Sequence, residues 1–125
     1  TYDDAGVYLL NAEQALVSTA DIITPPVDDP YLFGQIAACN SLADIYAMGG
    51  KPLSCLNLVG FPSGKLDHQV LEGIVAGALQ KITEAGAVGA ADCGSKQLAT
   101  LLMDNEVRDI FYFLQGVCYT IFKRN

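Results

Sequence analysis

The chain has no tryptophan, one histidine and only seven lysines and arginines in 125 residues. Each shortage removes a class of function. Fourteen acidic side chains against those seven cations give a net charge of -7, so nothing supplies the basic stripe that a phosphate backbone needs, and nucleic acid is not an expected partner. The lone histidine, His68, follows Asp67 at the start of an amphipathic segment and reads as a surface residue. No nucleophile elbow supports a Ser-His-Asp triad. Cys39, Cys55, Cys93 and Cys118 are widely spaced and form no CxxC pair, which argues against a zinc ribbon or a disulfide scaffold and for reduced thiols in a cytoplasmic protein. No apolar run reaches the roughly 18 residues of a membrane helix, and no basic-then-apolar leader opens the chain, so no membrane partner is expected. Internal repeats and low-complexity segments are also missing.

What is present is globular: 51% of residues are hydrophobic and 17% charged. The length suits one domain with a real core, yet it is short for a complete nucleotide-processing enzyme. The chain opens on "TYDDAGVYLL" without an initiator methionine, and the expectation is a piece of a longer protein. Residues 1–86 hold ten acidic side chains against three basic ones, a balance that suits a protein gathering cations.

The apolar runs "GVYLL" (6–10) and "ALVSTADII" (15–23), separated by polar "NAEQ", predict two strands. "TPPVDDP" (24–30) ends them, because its prolines remove donors and fix φ. Asp29 as cap and Pro30 at the first position predict a helix from Pro30 to Met48, stopped by Gly49-Gly50. "PLSCLNLVGF" (52–61) predicts a third strand, its continuous apolar character implying burial on both faces. After the turn "PSGKLD", Asp67 caps a second helix whose stripe is Val70, Leu71, Ile74, Val75, Ala78, Leu79 and Ile82, ending at Gly86. The order β-β-α-β-α predicts an α+β (mixed α/β) fold, a mixed sheet with helices packed on one side. Beyond Gly86 a helical stretch is expected over Ser95–Met103, while "IFYFLQGVCYTIF" fits helix and strand equally. The glycines of "MGG" follow no strand and open no helix, so they read as a helix stop rather than a phosphate loop. Tyr46 and Met48 are expected in the core.

Within "NSLADIYAMGGKP" (40–52), Asn40 and Asp44 share one helical face with Ile36, Ala37 and Ala47. Burying a carboxylate is costly unless it is paired or bound to a metal. Asp4, with Asp3 beside it, precedes the first strand. Asp21 lies near the end of the second, on the same side as Thr19 by the period-2 rule. Three carboxylates from three elements suit a hard cation such as Mg²⁺ on a nucleotide. The same residues also fit plainer roles: Asp3 or Asp4 ending a turn, Asp21 making an Asx motif, Asp44 paired with a lysine or arginine.

At this point the stretches "DDAGVYLL", "LVSTADIITPPVDDPYLFGQIAACNSLADIYAMGGKPLSCLNLVGFP" and "GALQKITEAGAV" closely resemble the amino-terminal domain of selenophosphate synthetase (selenide, water dikinase), in the aminoimidazole ribonucleotide synthetase superfamily. The similarity runs from residue 1 to about residue 88, and "VDDPYLFG" and "NSLADIYAMGGKP" are its specific motifs. The resemblance implies an ATP- and magnesium-binding N-terminal domain over 1–88, truncated at its start, and a divergent tail over 89–125. It implies that selenide, ATP and water give selenophosphate, AMP and orthophosphate, with Mg²⁺ and a monovalent cation such as K⁺, in a cytoplasmic homodimer. Carried over by motif, Asp4 and Asp44 match metal ligands, Asp21 an ATP- and metal-associated aspartate, and Thr1, Tyr2 and Asp3 a backbone segment that touches ATP. Asn40, one turn before Asp44, is assigned to orienting that carboxylate.

The family's glycine-rich loop with its Cys or selenocysteine and Lys precedes the acidic pair, and its second domain follows; neither is expected in this chain. "AVGAADCGSK" stands where a "GGHT"-like turn belongs. In it, Cys93 and Lys96 repeat the Cys-to-Lys spacing of the catalytic loop, at the wrong end of the chain, and an ordinary loop with a free thiol is the expectation. Two alternatives accompany the main reading: a relative of thiamine-monophosphate kinase in the same superfamily, and a non-catalytic fragment that dimerises through its sheet.

Overall fold

The computed structural model describes residues 5–62, 64–89, 101–103 and 113–123. Its elements are β1 (Gly6–Leu9), β2 (Gln14–Ile23), α1 (Pro30–Ala47), β3 (Ser54–Gly60), α2 (His68–Glu84), β4 (Val88–Gly89), β5 (Leu101–Met103) and β6 (Phe113–Lys123). The expected order β-β-α-β-α therefore holds through α2, and the class is α+β.

β1 and β2 form an antiparallel hairpin, with Gly6 opposite Ser18 and Leu9 opposite Ala15. Its turn is made by Asn11, whose side-chain oxygen accepts from the backbone N–H groups of Glu13 and Gln14, each at 2.9 Å. That is the local competition with the ladder for which asparagine is suited. The sheet order is β1-β2-β6-β3-β4, with β5 also paired to β3. β6 runs antiparallel to both β2 and β3, whereas β4 and β5 run parallel to β3, so the sheet is mixed.

In the tail one expectation changes and one open point is answered. Leu101–Met103, expected at the end of a helix, is the strand β5. The ambiguous "IFYFLQGVCYTIF" supplies β6, inserted between two strands that lie far earlier in the chain. Its continuous apolar run fits an interior strand.

Both helices begin and end as their caps dictate. Asp29 accepts from the Leu32 N–H and Asp67 from the Gln69 N–H, each filling a donor that the first turn leaves unpaired. Each helix closes with a glycine in the left-handed region, Gly49 at φ 73° and Gly86 at φ 76°. The following amide then reaches back five residues, Gly50 to Ile45 and Ala87 to Ile82, in the Schellman arrangement.

α1 packs over β2 and β6, α2 over β3 and β4, and the two helices lie against each other. Their contact is unusually close. A methyl group on Gly34 would sit 1.9 Å from the Ile74 carbonyl oxygen, and one on Gly77 would sit 2.0 Å from that of Tyr31. The core gathers beneath this crossing around Phe33, Ile45, Val59, Phe61, Ile74 and Ile82. The stripe expected on α2 is there: Leu71, Ile74, Val75, Ala78 and Ile82 are buried, with Val70 and Leu79 half-buried.

β3 is not buried on both faces. Cys55 and Val59 point into the core, but Leu56 is half-buried and Ser54 is exposed. Both helices cover the same face, which leaves the other uncovered among the described residues. Tyr46, expected in the core, is 52% exposed, because it lies on the side of α1 turned away from the sheet; Met48 packs against the core as expected.

Candidate functional site

Asp21 and Asp44 meet where β2 passes under α1. Thr19 and Asp21 are two residues apart on the strand and so share the helix-facing side, about 7 Å apart along it. Asn40 and Asp44 are four residues apart on the helix and so share the sheet-facing side, about 6 Å apart. The two spacings match, and the elements meet in two rungs. The Thr19 hydroxyl donates to Asp44 Oδ2 at 2.8 Å, and Asn40 Nδ2 donates to Asp21 Oδ2. The carboxylates thus occupy opposite corners of a square, each facing a neutral donor on the other element. Asp21 Oδ1 also accepts from the Ile22 N–H at 2.9 Å.

Asn40 was expected to orient Asp44, and here the partners are exchanged. Asn40 faces Asp21, and Thr19 fills the place opposite Asp44. Thr19, 6% exposed, is the site residue that sequence reasoning passed over. Its signal was its position two residues before Asp21.

Asp44 is half-buried and its bonded partner is neutral, so the ion pair considered for it is not made among the described residues. The ion pair found there joins Lys81 and Glu84 on α2, at 2.9 Å. Oδ1 of Asp44 accepts from no described residue; a carboxylate oxygen so placed can take a ligand. Asn57 on β3 stands in the same row of the sheet as Asp21, with Gly116 of β6 between them in register. No group of three metal-capable side chains forms among the described residues. Asp4 lies outside them, as do Thr1, Tyr2, Asp3, Cys93 and Lys96.

Away from this site, a groove of about 280 Å³ runs between the C-terminal halves of the helices, lined by Cys39, Leu42, Ala43, Tyr46, Lys81, Glu84 and Ala85. None of the expected site residues borders it. His68 is exposed at the start of α2, as expected.

The sequence profile of the AIR synthase related protein N-terminal domain matches residues 2–91. Among curated proteins, selenide, water dikinase of Geobacter metallireducens is 56% identical over 87 residues, that of Clostridioides difficile 58% over 88, and that of Carboxydothermus hydrogenoformans 59% over 86. These alignments take in 69–70% of this chain and 25% of each relative, so the chain spans about a quarter of their length. Among solved structures, thiamine monophosphate kinase from Aquifex aeolicus superposes with a TM-score of 0.73 at 17% identity, over 97% of this chain and 38% of the other. AaThiL complexed with AMPPCP and TMP gives 0.75 at 18%, over 98% and 37%. T. maritima PurL complexed with ADP gives 0.72 at 15%, over 98% and 19%. At such identities the superpositions establish the fold alone, and they extend past the point where sequence similarity stops. With the profile covering residues 2–91 and the same fold in these structures, the chain belongs to the AIR synthase related protein family, as its N-terminal domain.

Proposed function

We propose that this chain is the nucleotide- and magnesium-binding part of a selenophosphate synthetase, which converts ATP, selenide and water into selenophosphate, AMP and orthophosphate. The observation that carries this reading is the 56–59% identity to selenide, water dikinases across the segment that builds the Asp21–Asp44 site. AMPPCP in one structural neighbour and ADP in another support a nucleotide in this fold.

The donor chemistry fits magnesium. Two half-buried carboxylates offer hard oxygen ligands, and among the described residues both bond to neutral donors, which do not compensate their charge. In this reading Asp4, Asp21 and Asp44 would hold the ion, and Thr1, Tyr2 and Asp3, with Asp21 and Asp44, would serve the nucleotide. Bound there, magnesium neutralises charge on the phosphate oxygens during phosphoryl transfer. K⁺ is assigned the role of accessory cation. Cys93 and Lys96 are given no part in the chemistry.

A homodimer and a cytoplasmic location complete the proposal. The face of the sheet that the described residues leave uncovered, and the exposed Val7, Tyr8 and Leu9 of β1, support pairing. No described helix is long and apolar enough to cross a membrane.

The test is a chimera in which residues 1–88 replace the matching segment of the Clostridioides difficile enzyme. Selenide-dependent release of AMP is the expected result. ADP release that depends on thiamine monophosphate supports the kinase-like alternative, which rests on likeness of fold alone. Dimerisation without magnesium-dependent nucleotide binding leaves the non-catalytic reading.

A further inference from the structure

We infer that Thr19 is a positioning residue: its hydroxyl ties Asp44 Oδ2 to the sheet and so presents Oδ1 to the cation. The inference rests on the reading of Asp44 as a magnesium ligand.

An aspartate on a helix surface rotates broadly about its terminal torsion, so an untethered Asp44 would pay ordering entropy each time it bound an ion. Thr19 removes that freedom from an unusually firm base. It is 6% exposed and β-branched, so its own χ1 is stiff. It also lies on a strand paired at this position to Cys118 of β6, one residue beyond the end of the register with β1. Its one O–H donor goes to Asp44 Oδ2 at 2.8 Å. The bond acts across elements: Asp44 belongs to α1 and Asp21 to β2, and the Thr19 rung sets the helix carboxylate against the strand that carries the other one. The Asn40 rung does the same in reverse. A threonine that merely filled core space would use its methyl group and would not need this hydroxyl. Groups that orient a metal ligand from behind typically alter affinity by 10–100-fold.

The experiment measures Mn²⁺ binding to the 125-residue chain by isothermal titration calorimetry, with thermal unfolding recorded for each variant. Thr19→Val keeps the shape and removes the donor; the expected result is affinity weakened about tenfold. Thr19→Ser keeps the donor and should stay within about twofold of the parent. If Thr19→Val does not fold, Thr19→Ser against Thr19→Ala isolates the hydroxyl with the methyl absent from both, and the same gap is expected. Equal affinity within each pair, where Asp44→Asn still abolishes binding, overturns the positioning role alone. Absence of Mn²⁺ binding by the parent chain, or binding that Asp44→Asn leaves unchanged, overturns the metal reading and this inference with it.

Discussion

In the proposed reading, Asp44 carries function at a cost in burial. Half-buried, it has one hydrogen bond from Thr19 and an oxygen with no described partner. A residue kept only for packing would be replaced by leucine or alanine at a gain in stability. In the chimera, Asp44→Ala should therefore abolish ATP turnover while the unfolding midpoint stays within a few degrees of the parent's, as read by circular dichroism. Full activity would remove Asp44 from the site. Asp44 was legible in the sequence because a charged residue broke an otherwise apolar helical face. Its partner was not, since hydrogen bonding between residues 25 positions apart depends on how α1 lies across β2.

At the scale of the element, the helix pair depends on two residues with no side chain. Gly34 and Gly77 place backbone against backbone at the crossing, and an alanine at either position must push the helices apart. Gly77→Ala should destabilise by about 1–3 kcal/mol or more despite alanine's higher helix propensity, read from urea unfolding. A gain in stability would mean that the crossing is looser than described. Apolar periodicity gave no hint of this, because it counts side chains and a glycine contributes none.

α2 also carries the Lys81–Glu84 pair, with Lys81 half-buried and Glu84 exposed. The hydrogen bond from Lys81, then that from Gln80, then the charge of Lys81 lower the Glu84 pKa. The hydrogen bond and charge of Glu84 raise that of Lys81. The sign for Glu84 is that its contribution exists above the unfolded carboxylate pKa and fades as pH falls through the lowered folded value. The contribution of Lys81 exists below the unfolded lysine pKa and fades as pH rises through the raised one. Glu84→Gln should therefore shift the urea midpoint slightly at neutral pH, and the difference from the parent should close in acid and in molar salt. A difference that persists in acid would point to packing rather than charge.

At the scale of the whole molecule, the described residues cover the sheet on one face only, and its edge strand β1 leaves Tyr8 69% and Leu9 74% exposed. An apolar edge of this kind invites another chain. If the proposed homodimer forms there, Tyr8→Lys with Leu9→Lys should convert a concentration-dependent dimer to a monomer in sedimentation velocity. Unchanged sedimentation would place the contact elsewhere.

Local chemistry in the sequence determined the helix limits, the Asn11 turn, the stripe of α2 and the candidate carboxylates, because caps, prolines, glycines and periodicity act over a few residues. The tertiary structure alone decided three further things: that β6 enters between β2 and β3, that Asn40 serves Asp21 while Thr19 serves Asp44, and that Tyr46 faces outward. Each depends on contacts between distant parts of the chain, whose register is set by the packing of the whole sheet against both helices.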